Sequence, residues 1–154
     1  MTPRDTALPF AADLDGLSQL KAWLAAGQRP PMGETVDIWL TEVSEGRAVF
    51  EGVPSERIYN PTGVAHGGYA ATLLDSACGC AIHTKMPPGV RYTTLELKVA
   101  YHKPITIATG KVRAEGVAIS VGSRAAFAEG KITDAKGTLL ASASSTLLVM
   151  GIRA

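Results

Sequence analysis

Between Gly67 and Thr84 the chain reads GGYAATLLDSACGCAIHT, a run of helix-favouring and small residues around a single carboxylate, Asp75. Pro87, Pro88 and Gly89 stop any helix soon afterwards. A helix that is small and apolar nearly all round must be buried on most sides. Gly79 lies inside it at a cost of about 1 kcal/mol relative to alanine, which close packing against a neighbouring backbone would explain. The rest of the chain must therefore supply a layer that wraps this one helix.

The flanking segments have that character. Residues 13–26 read as a helix, with Leu17, Leu20 and Leu24 at helical spacing, Asp13 or Asp15 as cap and Gly27 as terminator. Gln28 to Gly33, with two prolines and a glycine, reads as a connector. Thr35–Val43 and Arg47–Val53 form a predicted hairpin turning at Ser44 to Gly46, with Val36, Ile38, Leu40 and Val43 inward. Tyr59 to Gly63 (YNPTG) is loop chemistry. After the helix, Tyr92–His102, Ile107–Ser120, Ser123–Thr133 and Thr138–Met150 read as an antiparallel meander, the last pair joined by a DAKG turn. In the first of these, Tyr92, Thr94, Glu96 and Lys98 share one face and Thr93, Leu95, Leu97, Val99 and Tyr101 the other. Two strands, a buried helix and several strands make an α+β pattern. A curved antiparallel β-sheet wrapped round a central α-helix, the hotdog fold, satisfies it, as would other α+β folds.

Composition narrows the function. At 154 residues, 46% hydrophobic and 19% charged, the chain suits one domain with a real core. A net charge of +1 argues against a broad nucleic-acid footprint, though not against a small basic patch for one phosphorylated ligand. Residues 1–16 lack the basic start and apolar stretch of a signal peptide, and no apolar run approaches the roughly 20 residues that span a bilayer. Cys78 and Cys80 are too close in sequence to staple distant segments. A reducing, cytoplasmic setting is expected, with no membrane or nucleic-acid partner.

Asp75 is the first candidate for chemistry. A carboxylate among Ala71, Leu73, Leu74, Ala77 and Cys78 costs several kcal/mol unless it is paired or neutralised, and either outcome suits a general base or nucleophile. It could equally lie on the helix's one wet face or make a structural polar contact. His66-Gly67-Gly68 precedes the helix, where first-turn N–H groups lack partners and glycine lets a substrate oxygen approach the backbone. The same tripeptide could be a plain helix start. Eight residues at about 1.5 Å each separate Gly67 from Asp75 by roughly 12 Å. One substrate carbonyl cannot meet both on one helix. If both act on the same carbon, Asp75 must come from another subunit, most simply across a two-fold axis with the helices antiparallel.

Asn60-Pro-Thr-Gly63-Val-Ala-His66-Gly67-Gly68, followed by Thr72-Leu-Leu-Asp75-Ser-Ala77, resembles the motif of the PaaI-like hotdog acyl-CoA thioesterases, in the 4-hydroxybenzoyl-CoA thioesterase-like superfamily. The resemblance extends over roughly residues 30–150, including ELKVAYHKP and the DAKG turn. It implies a hotdog thioesterase domain over 35–154, preceded by an N-terminal helix and connector over 1–34 in what is overall a single domain. It also implies hydrolysis of an aryl- or medium-chain acyl-CoA to free acid and CoA by a homodimer, with a tetramer as the family's expectation. Asp75 would activate water, or attack through an anhydride, while the Gly67 N–H polarises the carbonyl. Asn60 would assist the carbonyl or hold the water. His66 would support the loop and the leaving-group side, or simply cap the helix. Thr94, or Thr93 if the register slips by one, would help hold the water. No cofactor is implied, CoA being part of the substrate. Asp rather than Glu on the helix places the chain nearer the PaaI-like branch.

Other features carry less. Cys78 and Cys80 lack the partners of a metal or redox site and read as buried, inert thiols. His83 and His102 read as helix-end and strand-edge residues. There is no GxGxxG, P-loop or GxSxG pattern. Arg124 and Lys103 are candidates for the CoA phosphates by resemblance, and ordinary solvated charges otherwise. A non-catalytic acyl-CoA-binding or sensing protein is the alternative, although such regulators usually add a DNA-binding segment. A hotdog dehydratase would need a different Asp/His arrangement.

Overall fold

The computed structural model describes residues 11–151. The reading of the N-terminal residues as no signal peptide falls largely on positions outside them. Helix α1 (Gly16–Ala26) starts at the cap Asp15, whose carboxylate accepts the Ser18 N–H, and ends at Gly27 in a left-handed conformation. A short helix α2 (Pro31–Val36) replaces part of the expected connector and crosses the expected 34/35 boundary. Pro31 suits the first helical position, and Asp37, at φ 53°, turns the chain out of the helix. The first strand therefore begins at Ile38 rather than Thr35.

Strands β1 (Ile38–Ser44) and β2 (Arg47–Gly52) form the expected hairpin. A bulge at Thr41 shifts the alternation, so Ile38 and Leu40 and then Val43 all face the core. Helix α3 (Gly67–His83) fills the position read from the sequence. Strands β3 (Arg91–Tyr101), β4 (Val112–Val121), β5 (Ala125–Thr133) and β6 (Leu139–Met150) complete a six-stranded antiparallel sheet in the order β1-β2-β4-β5-β6-β3. Two expectations are corrected here. Ile107–Thr109 is a 3-10 turn, not strand. The strand after α3 does not open a meander; only β4, β5 and β6 form one, and β3 pairs with β6 at the sheet's edge.

Leu73, Leu74, Ala77 and Ile82 are fully buried against the sheet's inner face, which contributes Phe50, Val112, Ile132 and Leu147. This is the hotdog arrangement. The backbone-to-backbone approach lies at Gly116 on β4, where a Cβ would overlap the Ala77 carbonyl and the Cys78 N–H of α3. At Gly79, where it was expected, the close neighbour is instead a side chain, that of Tyr92, with its hydroxyl 3.2 Å from a would-be Cβ.

Candidate active site

Asp75 sits midway along α3, half-buried, and accepts a hydrogen bond from the Thr94 hydroxyl at 2.9 Å. Thr94 reaches it because Tyr92 and Thr94 face α3 before a bulge at Leu95 exchanges the faces of β3. Leu97 and Val99 then point to the core, and Leu95 is 61% exposed. The uniform alternation expected for this strand is thus broken, while the register that favours Thr94 holds; Thr93 points away and is exposed. Thr94 ties up one lone pair of Oδ1, and Oδ2 has no partner among the described residues.

Asp75 and Thr94 line a cavity of about 820 Å³ together with Ser76, Gly79 and Cys80. Burial first, and then the charge of Asp75, push the Cys80 thiol up to about 12. The same two causes, with Glu129 adding a third, raise Cys78 to about 12. Both cysteines are free and buried, hence protonated and unreactive at neutral pH. No cluster of three metal-ligating side chains occurs among the described residues.

The N-terminus of α3 opens into a different hollow, about 350 Å³, lined by Asn60, His66, Gly67 and Tyr101. His66 is the N-cap: its Nδ1 accepts the Gly68 N–H at 2.9 Å, which corresponds to the capping role. The Gly67 N–H has no hydrogen-bond partner among the described residues. Asn60 Oδ1 is occupied by the N–H and hydroxyl of Thr62, at 2.9 and 2.6 Å, leaving the amide NH₂ without a partner among the described residues. Its carbonyl accepts the Gly63 N–H at 3.1 Å, and Gly63 adopts φ 80°, which closes the loop tightly before the helix.

The five sequence candidates therefore fall into two groups, Asp75 with Thr94 and Asn60 with His66 and Gly67. The two groups lie in separate hollows, because Gly67 and Asp75 are eight residues apart on one unbroken helix, about 12 Å by helical rise. Lys103 lines the smaller hollow and Arg124 lines neither. Tyr101, whose hydroxyl donates to the Gly67 carbonyl at 3.0 Å, escaped the sequence reading. Nothing in the sequence marks a contact spanning 34 residues.

The chain resembles known proteins over this same region. The family model of the thioesterase superfamily matches residues 62–141, from the Asn60 loop through α3 and into β6. The 1,4-dihydroxy-2-naphthoyl-CoA hydrolase of Listeria monocytogenes is 31% identical over 116 residues, covering 75% of this chain and 93% of that one. A protein of Halobacterium salinarum is 39% identical over 69 residues, a span of only 44% of either chain. Among solved structures, a mutant of the phenylacetic acid degradation protein PaaI from Thermus thermophilus superimposes with a TM-score of 0.69 at 26% identity. That superposition covers 77% of this chain and 97% of that one.

Proposed function

The chain belongs to the thioesterase superfamily, and on that premise we propose that it hydrolyses an aryl- or medium-chain acyl-CoA to the free acid and CoA at sites completed by two copies of the chain. The observation that carries this reading is the pairing of a carboxylate held by a hydroxyl, Asp75 with Thr94, and an unoccupied backbone donor, Gly67 N–H, in separate hollows of one protomer.

In the proposed reaction, a water oxygen adds to the thioester carbonyl carbon as its proton passes to Asp75 Oδ2. Thr94 holds the carboxylate by Oδ1 so that Oδ2 faces the water. The carbonyl π pair becomes an oxyanion facing the Gly67 N–H of the other protomer, with the Asn60 NH₂ beside it. Collapse breaks the C–S bond, and the proton held by Asp75 goes to the departing sulfur.

Two features support the required dimer. The 11-residue β3 leaves one edge unpaired, and pairing it with its own copy about a two-fold axis would continue the sheet and set the two α3 helices antiparallel. Among the α3 positions that stay at least partly open, Gly68, Ala71, Thr72, Asp75 and Ser76 recur at helical spacing on the face such a partner would meet. Val117, Ile119 and Phe127, 39–58% exposed on the central strands β4 and β5, would be covered in a tetramer. Unbridged Cys78 and Cys80 suit a cytoplasmic setting. No described helix is long and apolar enough to cross a membrane.

The test is thiol release from a panel of acyl-CoAs by wild type, Asp75→Asn and Gly67→Pro. Proline fits the first helical position, and His66 already has the extended ψ of 139° that a following proline favours, so the substitution removes the N–H and spares the helix, its Cβ pressing on the exposed Tyr101 side chain 3.0 Å away. Both variants should lose about 100-fold or more in kcat with binding retained. Tight acyl-CoA binding by wild type without thiol release would show a sensor instead.

A further inference from the structure

The peptide unit between Gly67 and Gly68 is gripped at both ends. Its carbonyl, the first of α3, accepts the Tyr101 hydroxyl at 3.0 Å, and its N–H donates to His66 Nδ1 at 2.9 Å. We propose that Tyr101 is a positioning residue: with His66 it locks this peptide, so that the neighbouring Gly67 N–H keeps one direction, facing the hollow that Gly67 and Tyr101 line. The bearing of this clamp on catalysis rests on the function proposed above; the clamp itself does not.

The two glycines make room for the two jaws. A Cβ on Gly67 would lie 3.0 Å from the Tyr101 hydroxyl and 3.1 Å from Cζ of its ring, and one on Gly68 would lie 2.9 Å from His66 Nδ1. Neither glycine adopts a positive φ, so the backbone conformation alone does not call for glycine here. A side chain at either position would instead displace the group that holds the peptide.

The clamp opposes a weakness of this place in the fold. The first residues of a helix fray, because their N–H groups lack intrahelical partners, and glycine has the widest backbone freedom. The Gly67 N–H thus sits on the residue least able to hold it still. Its flanks are pinned instead. On one side the His66 N–H donates to the Ile58 carbonyl at 2.8 Å, and on the other lies the clamped peptide. An oxyanion donor contributes most when it needs no reorientation as charge develops. One jaw is a local cap, and the other is a tertiary contact from the end of β3; opening either frees the peptide.

Gly67-Gly68 is the only Gly–Gly pair in the sequence, so in protein made with glycine labelled by 13C and 15N a carbonyl-filtered amide spectrum contains the Gly68 crosspeak alone. Tyr101→Phe keeps the ring, removes the hydroxyl and falls on a 58%-exposed residue, so the core is untouched. It should move that crosspeak upfield in its carbonyl dimension. It should also lower kcat about 10-fold, with KM and the urea midpoint little changed. His66→Ala opens the other jaw. Tyr101→Phe added to His66→Ala should then cost less than about 2-fold more in kcat, whereas added to Thr94→Val, in the other hollow, it should cost its full factor of about 10. A carbonyl resonance unmoved in Tyr101→Phe, a kcat within about 2-fold of wild type, or full additivity with His66→Ala overturns the proposal. If wild type releases no thiol from any acyl-CoA while the crosspeak moves as stated, the hydrolytic reading fails and the clamp stands.

Discussion

Asp75 owes its position to two neighbours that act differently. The Thr94 hydroxyl donates to one carboxylate oxygen and fixes the rotamer, while the apolar body of α3 limits how many waters reach the other. If Asp75 is the base proposed above, a group that positions it in this way should show up in kcat and in the identity of its hydroxyl. Thr94→Ser should retain most activity, whereas Thr94→Val, nearly isosteric but without a donor, should lower kcat about 10-fold with KM little changed. Equal losses in both variants would mean that the methyl, not the hydroxyl, matters at this position. Burial beside Asp75 keeps the neighbouring Cys78 and Cys80 thiols protonated.

At the scale of elements, α3 is held where the sheet can come closest to it. Gly116 lets β4 touch the α3 backbone at Ala77 and Cys78, a contact between two rigid main chains that cannot yield as a side chain would. Gly116→Ala should therefore cost about 1–3 kcal/mol of unfolding free energy by overpacking, read as a lower urea midpoint. Alanine at Gly137, whose Cβ would meet nothing within 4 Å, gives a contrasting surface case dominated by its φ of 79°. The bulges at Thr41 and Leu95 act at the same scale. Each inserts one unpaired residue and re-aims everything beyond it, and the second is what lets Thr94 and Leu97 both face inward.

At the scale of the whole molecule, one protomer carries two unlike clusters of candidate site residues. Asp75 with Thr94 opens on the cavity closed by α1 and α2, and Gly67 with Asn60 opens on the hollow at the other end of α3. If each complete site takes one half from each chain, Asp75→Asn and Gly67→Pro subunits should complement. Unfolding and refolding the two inactive variants together should restore about a quarter of wild-type activity, because half the dimers are mixed and each mixed dimer holds one intact site. No recovery on mixing, with mixed dimers verified by mass, would place both groups' work within single chains.

The buried helix, its boundaries at Gly67 and His83, the hairpin before it and the β4–β6 meander were legible in local sequence, because periodicity, caps and turn residues act over a few positions. The candidate site was legible in part for the same reason: an isolated carboxylate and a glycine-flanked helix start are local features, and helical rise alone separates them. Sequence did not reveal that β3 pairs with β6 rather than β4, that bulges re-phase β1 and β3, or that Gly116 rather than Gly79 marks the backbone contact. Nor did it show that Trp23 faces the cavity of Asp75, 52 positions away. These depend on which surfaces meet when distant segments pack, and close packing, unlike helix propensity, is decided only when all the partners are in place.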